Sequence, residues 1–92
     1  MVFEWDEAKN QANLRKHGLS FEQARSVFAD PLALISLDLG AQGEERWRII
    51  GTIEGLIIVL VAYAVRGEQP EVIRIISARE ATTNERRRYE ED

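Results

Sequence analysis

Hydrophobic positions in this chain recur at helical spacing up to Asp30-Pro31 and with a period of two from Leu32 onward. Ahead of both, Phe3-Glu4-Trp5 alternates apolar and polar as a short strand does. Asp6 then reads as an N-cap for a helix over 7–16. Ala8 and Ala12 sit four apart on one narrow face of it, and His17-Gly18 supplies the C-terminal stop. Ser20-x-x-Gln23 is a capping-box pattern, with Phe21, Ala24, Val27 and Phe28 following at helical spacing as core positions. Asp30-Pro31 ends that helix.

In the second part, Ala33 to Leu39 predicts a strand and Gly40-Ala41-Gln42-Gly43 a loop. From Glu45 to Ile53 the alternation places Trp47, Ile49, Gly51 and Ile53 on one face and Arg46, Arg48, Ile50 and Thr52 on the other. Glu54-Gly55 suits a two-residue hairpin turn into a strand over 56–65, which is apolar on both faces and therefore central. A turn at 66–69 and Pro70 lead into a strand over 71–78, where Val72, Ile73, Ile75 and Ile76 surround Arg74. Ser77-Ala78-Arg79 is expected to carry the chain off the sheet, and Thr82-x-x-Glu85 to cap a last helix. The expectation is one α+β domain over 1–92: a short N-terminal strand and two helices, a four-stranded antiparallel sheet, and a C-terminal helix.

Register follows from the turns. Pairing Ile53 with Leu56 sets Arg48 opposite Val61 and Arg46 opposite Tyr63. A four-residue turn at 66–69 then sets Arg74 opposite Val61 and keeps it out of the core, whereas a five-residue turn flips it to the Trp47 face. The first choice gives a basic-aromatic patch of Arg46, Arg48, Tyr63 and Arg74 on the exposed side. The early helices cover Trp47, Ile49, Leu60, Ile73 and Ile75 on the other.

Composition narrows the function classes. The chain is 45% hydrophobic and 30% charged, which suits a globular domain. No apolar run approaches the roughly 20 residues of a membrane span, and no basic n-region precedes Phe3, so a cytoplasmic protein without a signal peptide is expected. Cysteine is absent, removing disulfides and thiolate metal sites. The net charge of −4 argues against indiscriminate nucleic-acid binding, but the distribution matters more. Eight of twelve basic residues fall at or after Arg46, and ten of the twelve are arginine, whose planar fork suits phosphate.

Gly-rich phosphate loops, the H-E-x-x-H pattern and an elbow-like serine are missing. Asp38, Glu44, Glu45 and Glu54 could hold magnesium, but their spacing matches no metal motif. What the residues suit is RNA cleavage without a metal or other cofactor. There the neighbouring 2′-hydroxyl attacks, arginines stabilise the phosphorane, and a side chain moves the protons. Arg66, Arg74 and Arg79 are candidates for the first task, and His17, Glu54 or Tyr89 for the second. Arg46, Arg48 and Arg86 are candidate RNA contacts, although the Arg86-Arg87-Arg88 run also suits a solvated helix face. Tyr89 equally suits packing on the sheet with its hydroxyl in water.

Several segments together resemble the BrnT family of bacterial type II toxins, small ribonucleases with a RelE-like fold. They are Phe3-x-Trp5-Asp6-x-x-Lys9, Asn13, Lys16-His17-Gly18, Ser20-Phe21-x-x-Ala24 and Phe28-x-Asp30-Pro31. Toward the C-terminus come Ile73-Arg74-Ile75-Ile76-Ser77-Ala78-Arg79-x-Ala81-Thr82, Glu85-Arg86 and Tyr89-Glu90. The resemblance implies a toxin that cleaves RNA and halts translation. It also implies a BrnA-type antitoxin whose ribbon-helix-helix part binds operator DNA, the pair assembling as a heterotetramer that represses its own promoter. The family's phosphate-gripping site maps onto Arg66, Arg74 and Arg79. Where relatives tend to read Tyr-Thr-x-Arg, this chain has Tyr63-Ala64-Val65-Arg66 and lacks the hydroxyl. The alternative is a non-catalytic module that completes a DNA-binding repressor with its partner.

Overall fold

The computed structural model describes residues 1–38 and 45–91. The predicted loop Gly40–Gly43, Leu39 at the end of the predicted strand, and Glu44 lie outside the described residues. Chain order is β1 (Val2–Glu4), α1 (Glu7–His17), α2 (Phe21–Ala24) running into a 3₁₀ turn (Arg25–Ala29), β2 (Leu34–Asp38), β3 (Arg46–Ile53), β4 (Ile57–Arg66), β5 (Val72–Glu80) and α3 (Thr83–Glu91). The fold is α+β, as expected, but the sheet has five strands in the order β1-β5-β4-β3-β2 and is mixed, not four-stranded antiparallel. The addition is β1, which lies parallel to β5 with Phe3 opposite Ile73. Its partner is some 70 positions away, beyond the reach of local periodicity. β4 is central, as its two apolar faces require.

The helix caps form as the sequence dictates. Asp6 accepts from the Lys9 amide, Gly18 closes α1 in the left-handed region, and Ser20 and Gln23 form a reciprocal capping box. Thr82 and Glu85 form a second box at α3. The inward face of α1 is polar. Ala8 and Ala12 are exposed, and the helix docks instead through buried Asn10 and Asn13. Asn10 accepts from the Phe21 amide at 2.7 Å and so fastens α2 to α1. Asn13 donates to the carbonyls of Leu19 (2.8 Å) and Ala78 (2.7 Å) and accepts from the Ala78 amide. Beyond Arg74 the edge of β5 has no β1 beside it, and Asn13 satisfies that free backbone as a neighbouring strand would.

The main core lies between the sheet and the α1–α2 layer. Phe21, Ala24 and Val27 pack on Ile49, Val59, Val61, Ile73 and Ile75. Tyr63 belongs to this core, in edge-to-face contact with Phe28, which packs in turn on Phe3. That corrects the expected exposed position of Tyr63, and the cause is the first hairpin. Ile53 pairs with Ile57, so the turn holds Glu54, Gly55 and Leu56, with Glu54 and Gly55 both at positive φ. The one-residue slip puts Trp47 opposite Tyr63 and Arg48 opposite Ala62. Leu60 moves to the other face for the same reason, opposite Ile50 and Arg79.

The β4–β5 connection is also longer than the expected four residues, since Arg66 pairs with Val72. This second slip offsets the first, and Arg74, opposite Ala64, still lies on the Arg48 face. Nor does the chain leave the sheet at Ser77-Ala78-Arg79, because β5 continues to Glu80.

Candidate functional site

A β-bulge decides which arginines share a surface. Ala62 pairs with Ser77 but Tyr63 with Ile75, leaving Ile76 as an extra residue on β5. Arg74 and Arg79 are five apart, so in a regular strand they point to opposite faces. With Ile76 inserted, Arg74 lies opposite Ala64 and Arg79 opposite Leu60, two residues of β4 that share one face. Arg48 and Arg46 join them from β3, Arg48 being opposite Ala62. The same bulge keeps Ile73, Ile75 and Ala78 together in the core on the other side.

This second face is half covered. α3 packs against β3, and beneath it Ile50 and Leu60 are buried apart from the main core. Two polar ties hold α3 down. Arg79 makes a two-pronged pair with Glu85, at 2.8 and 3.0 Å. The Tyr89 hydroxyl donates to Asp30 Oδ2 at 2.6 Å, where the Thr52 amide and hydroxyl also converge. Asp30 Oδ1 accepts from the Leu32 amide. Partial burial pushes the Asp30 carboxyl upward, but these donors together hold it below its usual range; the same contact raises the Tyr89 phenol. Hydrogen bonds from Arg79, with the Thr82 amide behind them, lower Glu85 to about 2, and Glu85 raises Arg79 in return.

The uncovered half lies between α3 and β1. Small Ala62, Ala64 and Ser77 line it, and Arg48, Arg66 and Arg74 supply positive charge. Arg66 and Arg74 converge on one carboxylate, Glu4, each donating at 2.8 Å, and Arg66's hydrogen bond is the largest cause of its lowered pKa. Arg48 carries a buried Nε–H that has no hydrogen-bond partner among the described residues. Ala64 sits directly beside Arg74.

The sequence candidates therefore separate. Arg46, Arg48, Arg74 and Arg79 come together on one sheet face, with Arg66 at its rim through Glu4. Tyr89 reaches that face from α3 but is engaged with Asp30. Arg86 is exposed on α3, as are Arg87 and Arg88. His17 is exposed at the end of α1, on the helix layer, and no bond among the described residues ties it to the arginines. Glu54 lies in the first hairpin turn. Sequence reasoning missed Glu4, Asp30 and Glu85 as partners of these groups; the only local signal was Glu85 in its capping box. No three metal-ligating side chains converge among the described residues, and none of their helices is long and apolar enough to cross a membrane.

Comparison with known proteins identifies the family. The chain is similar to the crystal structure of the Brucella abortus ribonuclease toxin, BrnT, with a TM-score of 0.65 and 29% identity. The match covers 90% of this chain and 100% of that one. No curated protein matches. Residues 5–85 match the family described as "Ribonuclease toxin, BrnT, of type II toxin-antitoxin system". With the match running from Trp5 to Glu85, the chain belongs to the BrnT family of ribonuclease toxins, and an antitoxin is its implied partner.

Proposed function

We propose that this toxin is a metal-independent endoribonuclease whose substrate lies across the arginine face. The convergence of Arg66 and Arg74 on a single carboxylate carries this reading, because two forks aimed at one anion suit a phosphate in place of Glu4. Arg48 adds an N–H that no group among the described residues satisfies, and Arg46, Arg79 and Arg86 extend the positive surface. In the reaction the RNA 2′-oxygen bonds to phosphorus while the bond to the 5′-oxygen breaks, leaving a 2′,3′-cyclic phosphate and a 5′-hydroxyl. Arg66, Arg74 and Arg79 stabilise the charge that gathers on the phosphorane oxygens. Of the candidates for moving protons, Tyr89 reaches this face with its hydroxyl given to Asp30, whereas His17 stands apart from it on the helix layer. In the cell, cleavage stops translation. A cytoplasmic BrnA-like ribbon-helix-helix antitoxin neutralises the toxin in a heterotetramer that reaches operator DNA through the antitoxin.

One observation favours a second reading, a non-catalytic co-repressor. Arg66, Arg74 and Arg79 all have carboxylate partners, as structural arginines do. Inducing the chain without its antitoxin, while mapping new RNA 5′ ends and following protein synthesis, separates the two. New ends bearing 5′-hydroxyls, with cleavage persisting in chelator, support the nuclease. A folded, expressed chain that produces no new ends supports the co-repressor.

A further inference from the structure

The helix layer leaves one end of its own sheet face uncovered. Ile35 lies opposite Ile49 and Leu37 opposite Trp47, so both point to the core side of β2, yet they are 59% and 41% exposed. Val65, on the same side of β4, is 38% exposed. A groove of about 410 Å³ runs here between Ile35, Trp47, Tyr63 and Val65, with Glu45 and Glu71 at its margins. Glu71 is near enough to raise the Tyr63 phenol further, although burial is the larger cause. β2 is also an edge strand, at the end of the sheet order. An edge strand with two exposed large apolar side chains and no lysine or proline is an open template for another chain.

We propose that this face, not the arginine face, is where the antitoxin docks, through an extended apolar segment flanked by basic residues and added alongside β2. This rests on the toxin–antitoxin reading above. The apolar residues of the added strand would continue the row Ile35–Leu37, and its basic flank at the Asp38 end would cross the groove to Glu45 and Glu71, a chemistry that fits no nucleic acid. The backbone of β2 supplies main-chain pairing, and the groove selects side chains. The Arg48–Arg74 surface lies on the opposite side of the sheet, so docking and RNA contact use different residues.

The test is copurification of the full-length chain with the product of its cotranscribed neighbour gene, beside neutralisation of toxicity in cells. Ile35→Lys/Leu37→Lys, both at exposed positions, should fold, stay toxic and resist neutralisation, with affinity lowered at least roughly tenfold. Glu71→Lys should weaken capture without unfolding the chain. Arg48→Ala/Arg74→Ala should lose toxicity but still copurify. Undiminished capture of the lysine pair, or loss of capture by the arginine pair alone, overturns the assignment. A parent dimer that the lysine pair splits, with neutralisation unchanged, assigns the face to a second copy and overturns it too. Because copurification is read without activity, a non-toxic parent counts against the nuclease reading and leaves the docking result intact.

Discussion

Replacing Asn13 with alanine tests how α1 fixes the strand that carries the arginines. The Asn13 side chain is buried and makes three hydrogen bonds, two of them to Ala78 just past the bulge at Ile76. Alanine removes all three and leaves the Ala78 amide and carbonyl, in a fully buried residue, without partners. At about 1 kcal/mol for each bond, with more where a group stays dry, the loss is about 3–4 kcal/mol. That is a large share of the roughly 5–15 kcal/mol that stabilises an ordinary domain. With a urea m-value near 1 kcal/mol/M for so small a chain, the midpoint should fall by about 3 M. The assay is equilibrium unfolding followed by the fluorescence of Trp5 and Trp47, with amide exchange at Ala78 measured beside it. Gln11→Ala is the control. Gln11 donates to Glu7 at 2.7 Å, the same length as the Asn13–Ala78 bond, but at an exposed site. It should cost no more than about 0.5 kcal/mol. Equal losses from the two variants, or under about 1 kcal/mol from Asn13→Ala, would refute the argument that buried backbone satisfaction holds β5.

Three further outcomes follow from the same contacts. A Cβ on Gly51 would stand 2.9 Å from Asp30 Oδ2, 3.0 Å from Val27 and 3.1 Å from Ala33. Gly51→Ala should therefore cost about 1–3 kcal/mol in urea unfolding, and an unchanged midpoint would mean the site yields freely. Glu85 is lowered from 4.5 to about 2, so its stabilisation is complete above pH 4.5 and disappears as pH falls through about 2. Glu85→Gln should flatten the acid limb of the stability curve by about 1 kcal/mol, a figure reduced because Arg79 is partly exposed, and an unchanged limb would contradict it. Tyr89→Phe removes the bond to Asp30 and should cost about 1 kcal/mol while speeding amide exchange along α3; unchanged exchange would mean that α3 is held by other contacts.

The elements whose signals are local were legible in the sequence. Asp6, Ser20 with Gln23, and Thr82 with Glu85 cap the helices they were expected to cap, because a cap is decided within four residues. The grouping of Arg46, Arg48 and Arg74 on one face was also reached, but through two register slips that cancel. A hairpin turn can hold two residues or three on similar sequences, and each slip exchanges faces, as Tyr63 and Leu60 show. The bulge at Ile76 has no glycine or other local mark. It appears only when Tyr63 must face Phe28 while Ala62 faces Arg48. Asn10 and Asn13 were not legible, because hydrophobic periodicity marks only apolar inward positions. Each replaces a backbone partner, which periodicity does not register. The carboxylate partners Glu4 and Asp30 come from segments far from the groups they hold.

The most direct measurement is the cleavage rate of a defined RNA by purified toxin, comparing the parent with Arg48→Ala/Arg74→Ala and with Arg15→Ala on the exposed side of α1. Each protein is first checked for an unchanged unfolding midpoint. If the arginine face grips the scissile phosphate, the double variant loses at least about a hundredfold in rate and Arg15→Ala loses nothing. A folded double variant that cleaves at the parent's rate would place the chemistry elsewhere on the molecule and contradict the account.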